Sequence, residues 1–115
     1  MKSSPDAPIG HTYVIAYPSV GVVKIGQAVY YAERVEQVRN MSQVETEVVC
    51  AFVGLHHERE LHKLFAHLRK RGEFFEDTAE LRDYLASRVD SITHEQATQT
   101  CRYTQSRLKL KHQAT

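Results

Sequence analysis

The first half of the chain alternates between apolar and polar positions in short stretches. Thr12–Tyr17 (TYVIAY) is dense in β-formers and predicts a strand, and Val22–Gly26 (VVKIG) predicts a second. The four-residue turn Pro18-Ser19-Val20-Gly21 between them predicts a hairpin. Glu47–Val53 (EVVCAFV), nearly all apolar, predicts a third strand in a central position. Helical spacing governs the rest. Tyr31, Val35 and Val38 give an inward face to a modest helix from Tyr30 to about Met41. The strongest helical pattern starts at His56. There Leu61, Leu64, Phe65 and Leu68 fall at i, i+3, i+4 and i+7, which predicts an apolar face turned to the core. Gly72 is expected to end this helix after Arg69, Lys70 and Arg71, cations suited to the negative end of its dipole. Asp77-Thr78-Ala79-Glu80 predicts a cap for a helix striped by Leu81, Tyr84 and Leu85. Thr93-His94-Glu95-Gln96 predicts another, running to about Lys109. Its stripe of Ala97, Cys101 and Leu108 is thin, so weak packing is expected.

These elements predict an α+β fold: a three-stranded antiparallel sheet flanked by helices, with a C-terminal helical extension. Residues 1–10, broken by Pro5, Pro8 and Gly10, are expected to form a flexible lead. Residues 11–90 are expected to form the domain, and 91–115 a basic helical tail carrying Arg102, Arg107, Lys109 and Lys111. A length of 115 residues suits one domain, and 42% hydrophobic with 25% charged residues argues against global disorder.

A net charge of +1 gives no general pull toward nucleic acid, so the local clusters matter more. Arg59, Lys63, Arg69, Lys70 and Arg71 gather on the central segment. Each cluster is equally a solvated face or a set of phosphate contacts. The sequence shows no apolar signal segment and no membrane span, so a cytoplasmic location with both cysteines reduced is expected. Cys50 is read as a small buried hydrophobe.

Several common chemistries are absent from the sequence. It has no GxGxxG or GxxxxGK[ST] phosphate loop, no CxxC pair and no GxSxG elbow. His57-Glu58-Arg59-Glu60-Leu61 approaches HExxH but ends in Leu, and His57 and His62 are spaced to face different ways, which excludes a zinc-protease helix. What stands out is a second stripe on the central segment: Glu58, His62, Phe65 and Arg69. It puts a carboxylate and an imidazole one turn apart, beside the core and near cations. As a plain i, i+4 helix pair this is worth about 0.3 kcal/mol. A phosphodiester-handling site has use for all of it. His56, His57 and His67 are expected at the surface, and Phe74-Phe75 as a core plug.

Taken in order, these residues resemble the GIY-YIG nuclease superfamily, in its phage and bacterial branch, over about Gly10 to Glu76. His11-Thr12-Tyr13 stands at the first tripeptide and Lys24-Ile25-Gly26 at the second. Arg34 follows at the family's spacing, and Glu58 stands where the family has its metal-binding Glu. Glu58-x-x-Leu61-His62-x-x-Phe65, Arg69 and Gly72-Glu73-Phe74-Phe75 resemble the branch signature. The chain departs from the pattern in three ways. Lys24 replaces a Tyr common in nucleases, the usual later Asn has no counterpart (the only Asn is Asn40), and Phe74 replaces Trp.

The resemblance implies a DNA endonuclease with one divalent ion, Mg²⁺ or Mn²⁺, on Glu58. It also implies Tyr13 or Lys24 as the group acting on the attacking water, Arg34 as a phosphate clamp, and His62 as a partner to Glu58 or a proton acceptor. Arg59, Lys63, Arg69, Lys70 and Arg71 are the expected DNA contacts. RNA is an open alternative substrate and no membrane partner is expected; a targeting partner protein or a homodimer stays open, with specificity coming from a partner protein or being low. The departures keep a second class open, a DNA-binding module without cleavage. The near-neutral charge keeps a third, a protein-interaction domain.

Overall fold

The computed structural model describes residues 9–101. The first eight residues of the expected lead, with Leu108 and the basic positions from Arg102 onward, lie outside the described residues.

Strands β1 (His11–Tyr17) and β2 (Val22–Ala28) form the predicted hairpin, with Tyr17 opposite Val22 at the turn. Helix α1 (Tyr31–Met41) follows, then β3 (Glu47–Val53) and α2 (His57–Leu64). After a 3₁₀ turn at Ala66–Leu68 come β4 (Arg69–Arg71) and β5 (Phe74–Glu76). The chain continues with α3 (Ala79–Ser87) and β6 (Ser91–Ile92), and residues 94–101 are helical. Among the described residues, no helix is long and apolar enough to cross a membrane.

The sheet has six strands in the order β4-β5-β2-β1-β3-β6, and every neighbouring pair is antiparallel. The expectation of three strands is thus corrected. β1, β2 and β3 are the long inner strands, and the other three are only two or three residues each. β1 is buried along its whole length and is the true centre, while β3 lies between it and the short β6. A register shift at Val14/Ile15 marks a bulge in the β1–β3 ladder.

Strand alternation sends side chains to two cores. Val14, Ala16, Val23, Ile25, Cys50 and Phe52 meet Leu61 and Phe65 near α2, Phe75 of β5, and Leu81 and Leu85 of α3. Tyr13, Ile15, Tyr17 and Ala51 meet Tyr31 and Val35 of α1, and Ala97 and Cys101 of the 94–101 helix. Helices therefore cover both faces, and each large side chain buried contributes about 1.5–3 kcal/mol. Burial pushes the Cys50 thiol up to about 12, as expected of a structural cysteine rather than a nucleophile.

Three local expectations change. The helix starting near His56 does not run to Arg71. It ends at Leu64, Phe65 breaks it at φ −107°, ψ 25°, and Arg69 is already extended at φ −62°, ψ 127°. Arg69–Arg71 pair with β5 and do not complement a helix dipole, and Leu64 is 46% exposed instead of core-facing. The tertiary contact that overrides helix propensity is Phe75, fully buried in the middle of β5, the return strand of the β4–β5 hairpin. His57, expected at the surface, is 8% exposed and stacks on Phe52 with centroids 5.0 Å apart.

Finally, the helix expected to pack weakly packs well over 94–101: Ala97 and Cys101 are buried, and the Tyr31 hydroxyl lies 2.8 Å from His94 Nδ1. Its cap is the predicted reciprocal one. Thr93 N–H donates to Gln96 Oε1 at 2.9 Å, and Gln96 N–H donates to Thr93 Oγ1 at 3.1 Å. At α3 the Thr78 hydroxyl accepts from Leu81 N–H at 3.2 Å.

Candidate functional site

β5 is shorter than β2, and that difference creates the site. β5 pairs with β2 only from Val22 to Lys24. Beyond it, Ile25 N–H still donates to the Glu73 carbonyl at 2.9 Å, in the turn before β5. The Ile25 carbonyl, however, meets a side chain: His62 Nε2 lies 2.9 Å from it. Side chains from both faces of the sheet gather around this edge.

From the α1 face come Tyr13 and Lys24. The Tyr13 ring lies across Gly26, its partner on β2. A Cβ added at Gly26 would stand 2.5 Å from the Tyr13 hydroxyl oxygen and 2.6 Å from Cζ, so only glycine admits the ring there. This gives the glycine of Lys24-Ile25-Gly26 a physical role. Lys24 Nζ pairs with Glu73 at 3.2 Å and sits 5.2 Å from the centre of the Phe74 ring.

From the other face come Glu58 and His62 on α2, at the expected one-turn spacing. Glu58 is half-buried. Burial, followed by the neighbouring Glu73 carboxylate, holds its pKa above the usual 4.5, against the opposing pull of His62 and Lys24. The Tyr13 hydroxyl is pushed up to about 12, first by burial and next by Glu73. Arg34 on α1 opposes that rise, and Glu58 adds to it. Tyr13, Lys24, Arg34, Glu58 and Glu73 therefore share one electrostatic neighbourhood. Sequence reasoning did not select Glu73. Its signal was present as the acidic residue of Gly72-Glu73-Phe74-Phe75, but only the hairpin geometry turns it toward Lys24.

His62 differs from expectation in its bonding. Its second nitrogen, Nδ1, lies 3.0 Å from Arg69 Nη2. A guanidinium can only donate, so Nδ1 accepts and the proton sits on Nε2, directed at Ile25. Both nitrogens are engaged in holding α2 and β4 to the sheet edge.

A model of the T5orf172 domain matches residues 10–100, most of the chain. The chain belongs to the T5orf172 family. This is a phage-associated domain of a nuclease-like or DNA-binding type. Comparison with curated proteins and with solved structures gave no match.

In this T5orf172 domain the expected DNA contacts divide into two groups. Arg59, Lys63 and Arg69 line, with Glu58, His62 and Ala66, a shallow depression of about 320 Å³ beside the edge site. Lys70 and Arg71 lie on β4, exposed, with Lys70 Nζ 3.8 Å from Glu76. Arg34 lines a neighbouring depression with Gln27, Tyr30 and Gln37. A larger hollow of about 560 Å³ lies between α1 and the 94–101 helix and contains Asn40 and His94. It holds none of the clustered charges, and it places the chain's only Asn in a different hollow from Glu58.

Proposed function

We propose that this T5orf172 domain is a divalent-metal-dependent DNA endonuclease of GIY-YIG type. One observation carries the reading. Two carboxylates, Glu58 and Glu73, approach a tyrosine hydroxyl and a lysine at a sheet edge bordered by Arg34, Arg59 and Lys63.

The donor set suits Mg²⁺ or Mn²⁺, which take oxygen ligands and keep several waters. Burial first and the Glu73 carboxylate second raise the Glu58 pKa, and a cation beside the two carboxylates would offset both, so Glu58, with Glu73 beside it, would hold the ion. When bound, such an ion supplies charge stabilisation on the phosphate and polarises the leaving oxygen. Arg34 offers a forked donor to a phosphate oxygen. Arg59 and Lys63 position the duplex through its phosphates without reading sequence. Tyr13, protonated at neutral pH, donates a hydrogen bond and orients water or phosphate. Lys24 contributes positive charge and fixes Glu73.

A second reading is favoured by one specific observation: each expected proton acceptor is already committed. The Tyr13 phenol is raised to about 12, Lys24 is ion-paired, and both His62 nitrogens are bonded. On that reading the domain binds DNA without cutting it.

The deciding experiment is a supercoiled-plasmid assay with Mg²⁺ or Mn²⁺, comparing wild type with Glu58→Ala, and with circular dichroism to check the fold. Metal-dependent nicking lost in a folded Glu58→Ala supports the endonuclease. Equal inertness, with salt-sensitive DNA binding that survives EDTA in both proteins, selects the binding module.

A further inference from the structure

The start of α2 carries a second group of ligand-type side chains, on the far side of the helix from the sheet-edge site. We propose that His56, His57 and Glu60 form a binding site for a transition-metal ion of the zinc class, separate from Glu58 and independent of the nuclease reading.

One ligand atom from each of the three residues lies within 4.8 Å of the other two. Glu60 follows His56 by four residues and His57 by three, so the helix turns all three to one side. The two imidazoles are placed by the backbone. His57 Nε2 lies 3.1 Å from the Val53 carbonyl, which accepts its hydrogen bond and leaves the Nδ1 lone pair on the side of Arg88. Metal-binding histidines are characteristically oriented by such a bond from the second nitrogen. His56 packs on His57 with centroids 3.9 Å apart, and it lies against Gly54. A Cβ at Gly54 would come within 2.9 Å of His56 Cε1 and 3.0 Å of Nδ1, and the Gly54 φ of +111° is itself a glycine conformation.

Two imidazoles and a carboxylate suit Zn²⁺ and its neighbours better than Mg²⁺, and they leave a fourth position for water. The structure also shows what competes for the site. Arg88 Nη2 is 3.4 Å from His57 Nδ1, and Arg88 Nη1 is 3.8 Å from Glu60. The guanidinium thus lends its positive charge to two of the three ligand groups. It is held independently by Asp90 at 2.6 and 2.8 Å and by the Tyr84 hydroxyl at 2.9 Å, over the rings of Phe52 and Tyr84. A bound ion would take over the Arg88 contacts to His57 and Glu60, leaving Arg88 its bonds to Asp90 and Tyr84. Arg88 and the positive end of α2 both weaken the site relative to a four-ligand zinc centre. Once filled, it would fasten the start of the helix that carries Glu58 to the loop after β3.

The test is calorimetric titration of the full chain with Zn²⁺, using wild type, His56→Ala, Glu60→Gln, Arg88→Gln and Glu58→Gln. His56 and Glu60 are exposed, so their variants should fold, and circular dichroism checks this. The expected result is a single Zn²⁺ event weakened about tenfold or more in His56→Ala and in Glu60→Gln. It should be unchanged in Glu58→Gln and tighter in Arg88→Gln. Wild-type affinity in both the His56 and Glu60 variants overturns the proposal. So does a loss confined to Glu58→Gln, which would put the ion at the sheet edge.

Discussion

His62 Nε2 stands 2.9 Å from the Ile25 carbonyl while Arg69 donates to Nδ1 from 3.0 Å, so one imidazole joins α2, β2 and β4. His62→Ala leaves the Ile25 carbonyl without its partner and frees Arg69 from the site. The expected loss is about 1–2 kcal/mol of stability, measured by urea unfolding. A variant as stable as wild type would show that this linkage carries no weight.

The pH dependence of cleavage should report on Glu73. On the endonuclease reading proposed above, metal binding needs Glu58 ionised, and its pKa is raised first by burial and then by Glu73. The acid limb of the rate profile is therefore expected above the ordinary carboxyl value of 4.5. Glu73→Gln removes a like charge, which favours the ionised form, so the limb should move to lower pH. Burial, the larger cause, persists, and the return is partial. Profiles of kcat/KM at fixed metal check this. A limb that stays put or moves upward would remove Glu73 from the site.

Gly26 and Tyr13 should be energetically coupled. Gly26→Ala drives a methyl into a buried ring, at an expected cost of about 1–3 kcal/mol. In a Tyr13→Ala background the ring is gone and the same change should cost much less. A double-mutant cycle by thermal unfolding measures the difference. Additive costs would mean that the ring does not lie across Gly26.

The long elements were legible because local signals agreed with tertiary demand. TYVIAY and EVVCAFV are strands by composition, and the caps at Thr78 and Thr93 are read directly from residue types. β4, β5 and β6 have too few residues to show a period, and they exist only through pairing, β5 with β2, β4 with β5 and β6 with β3. The stretch from Ala66 to Arg71 misleads for a related reason. Ala, Leu, Lys and Arg favour helix, and only the burial of Phe75 in a hairpin explains why the chain leaves it. Tyr13, Lys24, Arg34 and Glu58 fall within one electrostatic neighbourhood, a proximity implied by the family resemblance and by no local pattern. Glu73 and the double engagement of His62 depend on where β5 stops, which no local pattern states.

The outer strands have a consequence of another kind. An open sheet invites a neighbouring molecule to add a strand at its rim. Here one rim is β6, two residues long, and the other is β4, three consecutive cations. Docking a second β4 there would bring two rows of like charge together across a strand spacing. Arg69, Lys70 and Arg71 thus protect the domain against edge-to-edge aggregation, whether or not a phosphate ever reaches them.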